Sequence, residues 1–213
     1  MYFIGIDLGG KKKKTTALCV LKHTGDRSKI VINKLITGSR LWTNLYPYLS
    51  QTKVIAVDAP LTKGKGKGQM RLWEKFFSTG FFRKYHLNPF PPAMIPQLTE
   101  IGLDLARRLR QYGFRINRDI IEVFPTFSNQ VCRKTTSPQQ WETSHQNTAY
   151  FCAWQAYLHY KNETFWIGYK DGYLFLPDMK YWKKIWQKRF IRNWLGRDRL
   201  RYKFLRVSVR EFV

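Results

Sequence analysis

Tyr2-Phe3-Ile4-Gly5-Ile6-Asp7-Leu8-Gly9-Gly10 decides the fold. A short apolar run interrupted by a single acid and stopped by two glycines reads as a buried strand. Working outward, Lys11 to Lys14 read as a basic turn, and Thr15 to Lys22, rich in β-formers, predicts the returning strand of a hairpin. Thr24-Gly25-Asp26 then turns the chain into a third strand over Lys29 to Ile36. The chain opens as an antiparallel meander.

The same pattern returns twice. Val54-Ile55-Ala56-Val57-Asp58 and Ile120-Ile121-Glu122-Val123-Phe124 are apolar runs that each carry one acid and are ended by a nearby proline. Any one of these acids alone reads as a strand-end cap. A lone buried carboxylate is costly, however, so three of them imply a shared counter-charge. Strands about 4.8 Å apart would bring Asp7, Asp58 and Glu122 together on a cation. Hard oxygen ligands select Mg²⁺ or Mn²⁺, and such ions activate water and stabilise a leaving oxygen in phosphodiester cleavage. The four histidines, His23, His86, His145 and His159, have no spacing that marks a nucleophile or zinc site, and surface or packing roles are expected. Cys19, Cys132 and Cys152 read as reduced core residues.

Between the strands, Ser39 to Ser50 predicts a helix shortened by Pro47, and Met70 to Phe77 a short one. Leu98, Ile101, Leu105 and Leu109 set a helix over Ile95 to Tyr112 with Gly113 as its cap, and Gln139 to Tyr160 predicts another. The run Lys63-Gly64-Lys65-Gly66-Lys67-Gly68 has no helix or strand pattern. It reads either as a solvated loop with no such role or as a cationic loop at the rim of the acid cluster, where Lys63, Lys65 and Lys67 would hold a phosphate backbone.

Composition changes at Asp178, dividing the chain into a main domain, 1–177, and a basic, aromatic-rich C-terminal extension, 178–213. The extension holds 12 Lys or Arg against three acids, a net +9. Trp182, Trp186, Phe190 and Trp194 recur every four residues, with Lys183, Lys184, Lys188 and Arg192 around them. The stripe is expected to pack on the main domain. The alternative is that it stacks on bases in a basic groove.

The whole chain has 213 residues, with 38 Lys and Arg against 14 Asp and Glu, a net charge of +24. That length suits one domain or one domain plus an extension. Such a charge points to a polyanion, with nucleic acid, DNA or RNA, ahead of peripheral contact with an anionic membrane surface. No run is apolar for the roughly 18 residues a membrane span needs, and the start of the chain lacks a signal-peptide pattern. A cytoplasmic location is the expectation.

Gly5-Ile6-Asp7-Leu8-Gly9-Gly10, Val57-Asp58-Ala59-Pro60-Leu61, Arg71-Leu72-Trp73-Glu74, Ile121-Glu122-Val123-Phe124-Pro125 and Phe151-Cys152-Ala153-Trp154-Gln155-Ala156 follow one another along the chain to about Pro177. In that order they resemble the signatures of a family of uncharacterised proteins predicted to be nucleases with a ribonuclease H-like fold. The resemblance implies an α/β protein with a mixed five-stranded sheet and helices on both faces. It also implies a magnesium or manganese site built from Asp7, Asp58 and Glu122, with Glu74 as a further ligand. Where that family carries an Asp shortly before the Cys-Ala pair, this chain has Thr148 beside Asn147.

The function expected is metal-dependent hydrolysis of nucleic acid. Its alternative is a nucleic-acid-binding protein on the same scaffold with impaired chemistry, which Thr148 favours. A third reading follows from Asp7-Leu8-Gly9-Gly10 with Thr15 and Thr16, which look like the first phosphate loop of actin-like-superfamily phosphotransferases.

Overall fold

The opening run forms strand β1 (Tyr2–Asp7) in the computed structural model, which describes residues 1–9, 15–25, 27–64, 69–133, 141–197 and 204–208. Strand β2 (Thr16–Thr24) returns antiparallel beside it, and β3 (Arg27–Ile36) pairs antiparallel with β2, giving the expected meander. On the other side of β1 lie β4 (Thr52–Asp58) and β5 (Ile120–Glu122), both parallel to it. The order is β3-β2-β1-β4-β5, a mixed five-stranded sheet in an α/β chain.

Alternation along the strands sorts their side chains between two helical layers. Ile4, Ile6, Leu18, Ile55, Val57 and Ile120 pack with α1 (Leu41–Leu45) and α4 (Pro96–Gln111) through Leu41, Leu45, Leu105 and Leu109. On the other face Phe3, Ala17, Cys19, Val54, Ala56 and Ile121 pack with α6 (Ser144–Tyr160) through Ala149, Cys152, Ala153 and Ala156. Gly5 lets that helix seat on β1, because a Cβ there would stand 2.1 Å from both Ala149 O and Ala153 N.

Local chemistry sets the helix limits. Pro47 falls in the 3-10 turn Tyr46–Gln51 and leaves α1 only five residues. Pro96 opens α4, and Gly113 follows it at φ +87°, a conformation glycine adopts without strain. Pro125 ends the β5 run but also starts α5 (Pro125–Val131), since its missing N–H costs nothing in a first helical turn. Helix α6 begins at Ser144, later than the Gln139 start expected, where Thr143 Oγ1 accepts from Gln146 N at 3.2 Å. Residues 134–140 lie outside the described residues.

A second core adjoins the end of β5. It gathers α2 (Leu72–Phe77), α3 (Gly80–Lys84), α5, the antiparallel hairpin β6 (Thr164–Tyr169) and β7 (Gly172–Pro177), and α7 (Lys184–Leu195). Strand β8 (Arg206–Val207) pairs with β6. Trp182, Trp186, Phe190 and Trp194 are each at most 5% exposed within this core, so the aromatic stripe packs inward and has no face free for bases. Trp182 Nε1 donates to Pro177 O at 2.9 Å, and packing therefore runs unbroken across the compositional boundary at 177/178. Among the described residues no helix is long and apolar enough to cross a membrane.

Candidate functional site

Strands β1, β4 and β5 all end in an acid at the same end of the sheet. Asp7 is the register partner of Asp58, and both continue the alternation that faces α6. Glu122 is the partner of Val57, whose side chain faces α4, so Glu122 turns toward the opposite face. The acids gather at one sheet end but divide into two arrangements.

The first arrangement is Asp7, Asp58 and His145. Helix α6 runs antiparallel to β1, with Ala153 and Ala149 on Gly5 and its first turn, Ser144 and His145, over Asp7. His145 Nδ1 lies 2.8 Å from Asp7 Oδ2. The positive end of the helix dipole thus meets the Asp7 carboxylate. Burial pushes the Asp7 carboxyl from 3.8 up to about 6, even against the lowering effect of His145. Burial, then the charges of Asp7 and Glu122, holds Asp58 well above the carboxylate range. Beneath them, the Asp58 main chain hydrogen-bonds the buried Cys152 sulfur. Burial and then the two aspartates push that thiol upward as well, so Cys152 is a support and not a nucleophile.

The second arrangement is a clamp on Arg71, itself 1% exposed. Its Nη1 and Nη2 each donate to one oxygen of Glu122 at 2.6 Å, and Leu61 N donates to Glu122 Oε2 at 2.9 Å. Nε and Nη2 donate to Glu74 Oε1 at 3.0 and 2.5 Å, while Arg71 N donates to Glu74 Oε2 at 2.7 Å. Burial alone would lower the guanidinium pKa, but the two glutamates outweigh it and hold it above its ordinary value. Nη1 also donates to Thr62 Oγ1 at 3.2 Å. Asp171, in the β6–β7 turn, accepts from Leu72 N at 2.9 Å through Oδ2, and its buried Oδ1 has no hydrogen-bond partner among the described residues.

Comparison with protein-family models, curated proteins and solved structures gives no match. The geometry therefore carries the functional reading by itself.

Among the residues expected at the site, Asp7 and Asp58 stand together, whereas Glu122 and Glu74 have every carboxylate oxygen engaged by Arg71 or main-chain N–H groups. Among the described residues no three His, Cys, Asp or Glu side chains form a ready metal-ligand group. Mg²⁺, however, keeps several waters and is held by as few as one or two protein carboxylates, which is what Asp7 and Asp58 provide. Lys63 is exposed just beyond Thr62, while Lys65 and Lys67 lie outside the described residues. Lys183, Lys184 and Lys188 are exposed on and before α7, Lys183 Nζ reaching Gln130 O at 3.0 Å. Thr148 lies one turn beyond His145 and donates to Ser144 O at 3.1 Å.

Sequence reasoning gave His145 and Arg71 no part in the site. The sign for His145 lay in Gly5, Ala149 and Ala153: small residues that seat α6 on β1 put the residue one turn before Ala149 over Asp7. Arg71 opens the Arg71-Leu72-Trp73-Glu74 run, but nothing in the sequence marks it, among 38 Lys and Arg, as the partner of Glu122.

Proposed function

We propose that this chain is a metal-dependent nuclease with a ribonuclease H-like fold, cleaving phosphodiester bonds beside Asp7 and Asp58. The carrying observation is the pairing of those two aspartates, desolvated side by side, with the His145 imidazole bonded to Asp7. Five of the 14 acids, Asp7, Asp58, Glu74, Glu122 and Asp171, collect around one sheet end of a chain whose net charge is +24. A negative hole in a basic protein suits a divalent ion facing a polyanion. When bound, such an ion supplies an activated water and neutralises charge on the leaving oxygen.

The chain's own groups then have separate tasks. Asp7 and Asp58 hold the ion as carboxylates. His145 orients Asp7 through Nδ1, and the α6 N-terminus adds positive potential beside them. Lys63, exposed five residues after Asp58, would hold a phosphate at the rim. Arg71 neutralises Glu74 and Glu122 and so fixes α2 against the end of β5. The mixed five-stranded sheet with helices on both faces supports the ribonuclease H-like reading.

The test is incubation of the purified chain with labelled single-stranded, duplex and branched DNA and RNA, in Mg²⁺, Mn²⁺ or chelator, beside Asp7→Asn and Asp58→Asn. Metal-dependent cleavage lost in both variants is the expected result. No cleavage of any form overturns it. The Arg71 clamp favours one second reading, a nucleic-acid-binding protein without hydrolysis, because it withholds two carboxylates from the ion. In that case both variants bind as the native chain does and neither they nor the native chain cleave.

A further inference from the structure

We infer that Phe90 and Met94 form a rigid apolar platform on which unpaired bases of the nucleic-acid strand stack. The inference rests on the nucleic-acid reading above and deepens it, committing the substrate to strands with unpaired bases. Phe90 is 61% and Met94 65% exposed, among the most exposed large apolar side chains of the described residues.

They are displayed by a segment that has little freedom. Asn88-Pro89-Phe90-Pro91-Pro92-Ala93-Met94-Ile95-Pro96 contains four prolines, which fix φ at each. Met94 N donates to Pro91 O at 2.9 Å and Ile95 N to Pro92 O at 3.2 Å. The buried Thr99 Oγ1 donates to Ile95 O at 3.0 Å and lies 3.3 Å from Pro92 O. Leu87, 1% exposed in the second core, anchors one end, and Pro92 with α4 anchors the other. A main chain held this way has little freedom left to lose on binding a flat partner.

The position is at the site's end of the sheet. Gly102 of α4 lies against Ala59 and Pro60, directly after Asp58, since a Cβ on it would stand 2.5 Å from Pro60 O. Six residues separate Gly102 from Pro96, so α4 carries the turn about 9 Å past that level. Helix α4 packs on the face opposite to the one Asp7 and Asp58 share, so a strand leaving the aspartates would round the end of the sheet to reach Phe90 and Met94.

Charge names the occupant. The chain has no Asp or Glu between Glu74 and Glu100, while Arg83 and Lys84 are exposed in α3 just before the turn. Cations for phosphates beside apolar groups for base faces match a single strand, whose bases are free to stack. A duplex keeps its bases stacked on one another.

The experiment is binding in chelator to a short mixed-sequence single-stranded DNA, a blunt duplex of the same sequence and phosphatidylserine vesicles, with thermal melting recorded alongside. Phe90→Ala/Met94→Ala is expected to weaken single-strand binding roughly 10- to 100-fold and to leave the duplex nearly unchanged. Phe90→Trp, which keeps a ring at the surface, is expected to bind the single strand at least as tightly as the native chain. No loss, equal loss on both DNA forms, a larger loss on vesicles, or weakened binding by Phe90→Trp overturns the inference. Absence of cleavage by the native chain overturns the nuclease reading alone, because this readout needs no metal.

Discussion

His145 Nδ1 stands 2.8 Å from Asp7 Oδ2, joining residues 138 positions apart in the chain. That contact makes the first turn of α6 part of the same site as the end of β1. The carboxyl it touches is desolvated, and pH dependence follows.

Asp7 has its folded-state pKa raised from 3.8 to about 6, so the native state binds this proton more tightly than the unfolded chain. The contribution to stability is complete below the unfolded value and is lost as pH rises through about 6. Each unit is worth about 1.4 kcal/mol, so the metal-free chain is expected to lose on the order of 1–3 kcal/mol between about pH 4 and pH 7 from this group. Urea unfolding across that range should show it, with the slope reduced in Asp7→Asn. An unchanged slope in that variant would place the effect elsewhere.

Asp58 is raised by burial first and then by the charges of Asp7 and Glu122. Asp58→Asn is therefore expected to raise the melting temperature of the metal-free chain near neutral pH. It should also abolish the further rise that Mg²⁺ or Mn²⁺ gives the native chain. Equal metal-induced shifts in both chains would remove Asp58 from the ion site.

Arg71→Met leaves Glu74 and Glu122 buried without their counter-charge, an expected loss of about 3–5 kcal/mol. Adding Glu74→Gln and Glu122→Gln to that variant should recover most of it, since no buried charge then remains unpaired. Denaturant midpoints of the single and triple variants decide between the two results. A triple variant as unstable as the single one would mean that hydrogen-bond geometry, not charge, holds the clamp.

For the extension, truncation before Asp178 would strip Trp182, Trp186, Phe190 and Trp194 from the second core and unfold it. Binding is better separated from packing by Lys183→Ala/Lys184→Ala/Lys188→Ala, all exposed. If all three contact duplex phosphates, the salt slope should shrink by roughly 0.9 for each. A slope equal to that of the native chain would assign these lysines to solvent.

Much of this architecture is legible in the apolar runs. The strands around Asp7, Asp58 and Glu122, the meander and α4 declare themselves because burial on both faces, or on one helical stripe, leaves a periodic trace. The division of the acids does not, because Glu122 is set one register step from Asp58, and a single step changes the face. Pro125 reads as a terminator because its missing N–H ends a strand and begins a helix by the same property. Hairpin β6–β7 carries no clean alternation, since both of its faces are partly covered. His145 stays hidden because α6 is buried around most of its circumference, so no polar stripe marks which residue looks at the sheet.

The seat of α6 on Gly5 also bears on stiffness. Main chain meets main chain there with no side chain between, so the helix has no compressible layer on which to slide or roll. His145 and Asp7 consequently move as one body, and tolerance for substrates of different shape must come from elements other than this helix. Any side chain at position 5, alanine included, would pry the helix off the strand and misalign that pair without touching either residue.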